Sequence, residues 1–172
     1  MMANLTFIGT IHMVLAMLCI VVGAVQLARP KHGAVHRARG YAFVYAMVVV
    51  DGTAMLLYRF TRSFNAFHVG AIVNLAAIVA AMIPMLMSPR PAAWKQLHYN
   101  FMSWGFVGLM AAAITETIVR SVALTHGQAW AVSGAATVTV TLIGGYLIRR
   151  YQPPSTARLA AAKSSIQHEG AT

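Results

Sequence analysis

The chain has 172 residues, 59% of them hydrophobic and only 9% charged, with a formal net charge of +10. Roughly a quarter of an average soluble chain is charged, so this composition excludes an ordinary soluble domain. The basic residues gather between long apolar runs, which excludes a nucleic-acid-binding surface as the reason for the charge.

Five apolar runs follow one another: Leu5–Ala28, Gly40–Phe60, Ala66–Met87, Leu97–Val119 and Gln128–Ile148. Each has about the 20 residues that a helix needs to cross a ~30 Å hydrocarbon core. Lipid offers no partner to the open backbone of a sheet, and no barrel-type alternation is present. The sequence therefore predicts an all-α, polytopic membrane protein, a bundle of five transmembrane helices over residues 1–150. The small and polar stretch 151–172 is expected to be a disordered cytoplasmic tail, with His168 inert in it.

The first run opens on "MMANLTF", without basic residues, and ends in "ARPKHG", without a small-residue cleavage site. It is expected to stay as the first span rather than to be removed. His12, Cys19, Gly23 and Gln26 share one face of it, because offsets of seven, eleven and fourteen residues return near the starting angle. Cys19 is the only cysteine, which rules out an intrachain disulfide, a four-cysteine zinc site and a CxxCH haem attachment. It reads as a small buried hydrophobe. His32 is a loop residue and His36 precedes the second run.

In the second run, Asp51 lies near Gly40, Met47 and Tyr58 in angle. It sits near the midplane with no adjacent cation in its own helix, so it requires a partner from another helix or a proton. The third run begins with His68. Two prolines in "SPRPAAWKQ" end the third helix and set up the fourth.

The fourth segment, "HYNFMSWGFVGLMAAAITETIVR", opens on His98. Glu116 is eighteen positions on, five whole turns, so both lie on one face about 27 Å apart, near Met102, Gly105, Leu109 and Arg120. Glu116 and Arg120 are also an i, i+4 pair able to neutralise each other. In the fifth run Ala129, Ser133, Thr137, Thr141 and Gly145 recur every four residues. Such a ridge lets helices approach closely, onto the bundle or onto a second copy as a homodimer.

Charge sets the orientation. Arg29, Lys31, Arg37 and Arg39 fill the first loop, Arg90 and Lys95 the third, and Arg149, Arg150, Arg158 and Lys163 the tail; the alternate loops hold Arg59, Arg62 and Arg120. The positive-inside rule then places the N-terminus outside and the C-terminus in the cytoplasm, with the lipid bilayer and its anionic headgroups as partner. By depth, His12, His68, Glu116 and Asp51 form an outer group, and His36 and His98 an inner pair.

The stretches "IHMVLAMLCIVVGAVQL", "HRARGYAFVYAMVVVDG", "AFHVGAIVNLAAIVAAM" and the fourth segment resemble a family of bacterial integral membrane proteins known as a domain of unknown function, number twenty-three-oh-six. The resemblance covers approximately residues 8–120, four of the five helices, and leaves the fifth helix outside. It marks His12, Gln26, His36, Arg37, Gly40, His98, Glu116 and Arg120. It implies the fold and a multi-pass topology, and no activity travels with it; the expected location is the bacterial inner membrane. A more distant analogy of layout is with two-haem transmembrane b-type cytochromes.

Three functions fit these residues. The first is a b-type haem protein that moves electrons, with haem b held by His36/His98 inside and His12/His68 outside, and Arg37, Arg39, Arg59 or Arg62 pairing propionates. The second is a zinc or non-haem iron enzyme built on His12, His68 and Glu116, with Asp51 as a fourth group. The third is a small transporter or assembly factor without a bound cofactor, in which Asp51, Glu116 and the histidines relay protons or pass a metal.

Overall fold

A computed structural model of the chain describes residues 7–57 and 64–153. Among the described residues all regular structure is helical: α1 (Phe7–Ala28), α2 (Gly33–Ala54), α3 (Ala66–Leu86), α4 (Trp94–Ser121) and α5 (His126–Arg150). Tyr58, Arg59, Arg62 and the tail residues Arg158, Lys163 and His168 lie outside the described residues.

Three helices begin earlier than their apolar runs, α5 by two residues and α2 and α4 by more. α2 starts at Gly33, whose φ of 84° is the left-handed backbone that glycine alone adopts freely. His36 therefore stands in the first turn of α2 rather than before it. The run marks where lipid-compatible side chains begin; the helix extends further because its backbone gains from intrahelical hydrogen bonds at the interface too. α4 likewise starts at Trp94, so His98 lies in its second turn. α3 and α5 start on capping boxes, Asn65 with His68 and Thr125 with Gln128, which satisfy first-turn N–H groups.

The cross-helix bonds fix an up-down topology. Gln26 at the end of α1 reaches His36 at the start of α2, while His12 near the start of α1 reaches Val50 and Thr53 near the end of α2. His98 bonds Ala81 of α3, and Tyr99 bonds Ile148 of α5. Helices α1 to α4 close into a ring through α1–α4 contacts, and α5 packs on α4 outside it. Cys19, Phe43, Met47, Val50, Ile78 and Leu109 form the core of that ring.

The outside of the bundle is apolar as well: Val14, Met17, Val21, Tyr45, Val73, Val138 and Leu142 are all exposed. A surface of this kind is matched to lipid, where no polar shell is needed. Helices α1, α3 and α4 and the Gly127–Arg150 stretch of α5 are long and apolar enough to cross a membrane. α2 differs because His36, Arg37 and Arg39 occupy its first turns and Asp51 lies near its other end.

The small-residue ridge of α5 is used within the chain. Ala129 is buried, the Thr137 and Thr115 hydroxyls are 3.5 Å apart, and a Cβ on Gly145 would stand 3.2 Å from the Trp104 ring. Of the two uses expected of the ridge, packing onto the bundle is the one observed, with Thr141 left exposed.

Candidate functional site

The deepest polar contact joins α2 to α3. Asp51 is buried, and the Asn74 amide donates from Nδ2 to its two carboxylate oxygens at 3.2 and 3.1 Å. Asn74 is itself buried, and its Oδ1 has no hydrogen-bond partner. That oxygen rests on α4 where two glycines leave room. A Cβ on Gly108 would stand 2.8 Å from it and one on Gly105 3.6 Å. The cross-helix partner that Asp51 requires is thus an amide. The sequence reading missed Asn74, although it is the one amide in the apolar run of α3 and lies mid-run, where an unpaired polar group is costly.

His12 sits at the same level. Its Nδ1–H donates to the Val50 carbonyl at 3.1 Å and to the Thr53 hydroxyl oxygen at 3.0 Å. A carbonyl only accepts, so the Nδ1 proton is fixed and the neutral ring keeps its Nε2 lone pair open. Toward the other end of the bundle, Asp51 is followed by Met47, Phe43, Ile78 and Cys19, all buried. Apolar core therefore adjoins the carboxylate toward the His98 end.

His68 and Glu116 do not join this centre as metal ligands. His68 is 1% exposed and completes the cap of α3, accepting from the Asn65 N–H on Nδ1 at 3.1 Å. A backbone N–H only donates, so Nδ1 holds the lone pair and the neutral ring carries its proton on Nε2. Glu116 turns to Arg120, with their side chains 36% and 58% exposed. Neighbouring Thr115, at 2% exposure, takes the inward position of that turn. Pairing one turn away on the same helix is cheaper for Glu116 than entering the bundle, where a charge demands a partner.

At the opposite end, the Gln26 amide donates from Nε2 to His36 Nδ1 at 2.7 Å and to the His36 carbonyl at 2.8 Å. His36 therefore also carries its proton on Nε2 when neutral. His98 has the reverse arrangement, its Nδ1–H held by the Ala81 carbonyl at 3.1 Å. His36 lies ahead of the apolar stretch of α2. Burial first, then the nearby His98, Arg39, Lys31 and His32, hold its imidazole below the ordinary histidine range.

These proton positions bear on the expected cofactors. Axial ligation or zinc binding needs an open lone pair on the ligating nitrogen, with the other nitrogen donating to a carbonyl or carboxylate. His12 and His98 have that form; His36 and His68 have the opposite one, so each expected pair contains one ring turned the wrong way. Among the described residues, no three of His, Cys, Asp and Glu stand close enough to hold a metal ion. As they stand, the four rings present two open lone pairs, on His12 and His98, and two Nε2–H groups, on His36 and His68. Protein purified from haem-supplied cells is expected to lack a low-spin haem spectrum. Split reduced bands that vanish in His98→Ala would overturn this placement of protons.

The capping role of His68 is separately testable. His68→Gln is expected to retain the cap, since Gln at N3 makes the same reciprocal bond. His68→Ala should cost about 1–3 kcal/mol in a reversible unfolding titration, from a lost cap and a void. Equal losses in the two variants would deny that role.

The model of a family described as "Predicted membrane protein (DUF2306)" matches residues 9–151. The match runs through α5, beyond the four helices on which the resemblance in the sequence rests. No curated protein and no solved structure matches the chain significantly.

Proposed function

The chain belongs to this family of predicted membrane proteins, and from that premise we propose that it is a small proton-coupled transporter of the bacterial inner membrane, with Asp51 as the proton-carrying group. The observation that carries the reading is the Asp51–Asn74 pair, a carboxyl enclosed by α2, α3 and α4 with a single amide as its polar partner. Ionisable groups held inside a span are costly, so a fold keeps them where they exchange an ion or a proton. Phe43, Met47, Val50 and Ile78 belong to the apolar core around Asp51, which makes a charge there costly and favours a group that takes up and releases a proton.

His12 supports the same reading. Its open Nε2 is a proton acceptor anchored beside Asp51 through Val50 and Thr53. The basic loops orient the N-terminus outward, so His12 faces the exterior and loads Asp51 from that side. The haem and metal-enzyme readings rank below this one because His36 and His68 present Nε2–H rather than a lone pair and Glu116 is paired with Arg120.

The test is infrared difference spectroscopy of the protein reconstituted in liposomes, stepped through pH. A protonated-carboxyl stretch that titrates in the wild type and disappears in Asp51→Asn is expected. A spectrum without such a band, or one that persists in Asp51→Asn, would sink the proposal.

A further inference from the structure

The His98 end of the bundle carries an unbalanced set of cationic and imidazole groups from three elements. Gln26 fixes the His36 ring at the start of α2 so that its Nε2–H points away from the bond. The Lys31 ammonium lies 5.9 Å from the centroid of the Tyr99 ring, which brings the α1–α2 loop against the second turn of α4 beside His98. Arg39 follows His36 by three residues on the same face of α2, and its Nε is tied to the Val35 carbonyl at 3.4 Å, leaving its other N–H groups to point outward. No side chain caps the N-terminus of α2, so its first N–H groups add to the donors.

Among the described residues no carboxylate balances this set. The chain has three acidic residues; Asp51 and Glu116 lie toward the opposite end, and Glu169 lies outside the described residues. Like charges brought together without a nearby counter-ion repel, and after burial, the larger cause, His98, Arg39, Lys31 and His32 all hold the His36 imidazole low. An anion with several acceptor oxygens relieves it, and N–H donors from imidazole, guanidinium and ammonium match a phosphate group best.

We propose that this end of the bundle binds an anionic phosphate group between His36 and His98, with Lys31 and Arg39 flanking it. His36 donates through Nε2–H, and Arg39 and Lys31 supply charge-assisted donors from α2 and the loop. His98, its Nδ1–H held by the Ala81 carbonyl, lines the other side of the site. The group belongs either to a lipid headgroup of the facing leaflet or to a free phosphate compound. The site is separate from Asp51 and does not depend on the transport reading.

The full-length protein in detergent micelles, with its histidine rings labelled with nitrogen-15, is titrated with inorganic phosphate and, separately, with short-chain phosphatidylglycerol. Sodium chloride at matched ionic strength is the control. Saturable shifts of the His36 and His98 ring signals are expected, weakened roughly tenfold in the surface double variant Lys31→Gln/Arg39→Gln. Saturation by both probes identifies the phosphate group itself as the ligand; saturation by the lipid alone identifies a headgroup held with its chains. Shifts reproduced by sodium chloride, or unchanged in the double variant, or absent with both probes, overturn the proposal.

Discussion

Asn74→Leu is expected to lower stability by about 3 kcal/mol, one of the largest losses available from a single polar side chain in this bundle. The amide is the hydrogen-bond partner of a carboxylate that the apolar core otherwise surrounds. Removing it leaves Asp51 with the desolvation cost of a charge and nothing to offset it, and proton uptake limits rather than cancels the loss. Asp51→Leu alone should cost about 1–3 kcal/mol, because it strands the amide instead. The double variant Asp51→Leu/Asn74→Leu should recover most of the loss, since two apolar groups of similar volume replace a pair whose burial is itself expensive. Reversible unfolding in mixed micelles gives all four corners of this cycle. Losses that simply add would show that the two side chains do not act as a pair. Recovery of stability without recovery of the titrating infrared band would separate folding from function, because the double variant has the fold and lacks the carboxyl.

The cycle also shows which parts of the site were legible in the sequence. Angular periodicity placed His12, Cys19, Gly23 and Gln26 on one face of α1, and that face meets α2: Cys19 and Gly23 are buried, and His12 and Gln26 bond across. It likewise grouped Met47 with Asp51 on α2 and Gly105 with Leu109 on α4, all buried. Periodicity is a property of one helix, however, and a site is a property of several. Which histidine ring donates and which accepts is decided by the groups opposite. A loop N–H set the tautomer of His68, a distant amide that of His36, and neither choice is written in the spacing of the histidines. Glu116 kept its place on the expected stripe for five turns yet turned sideways to Arg120, because a long side chain near a helix end reaches its neighbour before it reaches the core. Asn74 carried a legible signal that went unused: a buried acid needs a donor, and α3 has one amide at mid-run.

Gly144→Leu is expected to separate α5 from α4 and to cost roughly 1–3 kcal/mol. A Cβ built there would stand 2.4 Å from Val107 Cγ2 and 2.7 Å from its Cγ1. Val107 is β-branched and stiff in a helix, so its methyls cannot swing aside and the helix axes must part. In lipid, close backbone approach is a main source of helix association, and a gap of even an ångström gives up much of it. Val107→Ala should restore packing in the Gly144→Leu background, because it removes the two methyls that clash. Gly134 is the internal control: nothing stands within 4 Å of a Cβ built there, so Gly134→Ala should be neutral or slightly stabilising through helix propensity. Unfolding and cross-linking read together decide what the face of α5 around Gly144, beside the ridge, packs against. Loss of stability rescued by Val107→Ala assigns it to α4 of the same chain. A change in oligomeric state with unfolding untouched would assign it to a second copy, and the observed seat of Gly144 on Val107 predicts the first result.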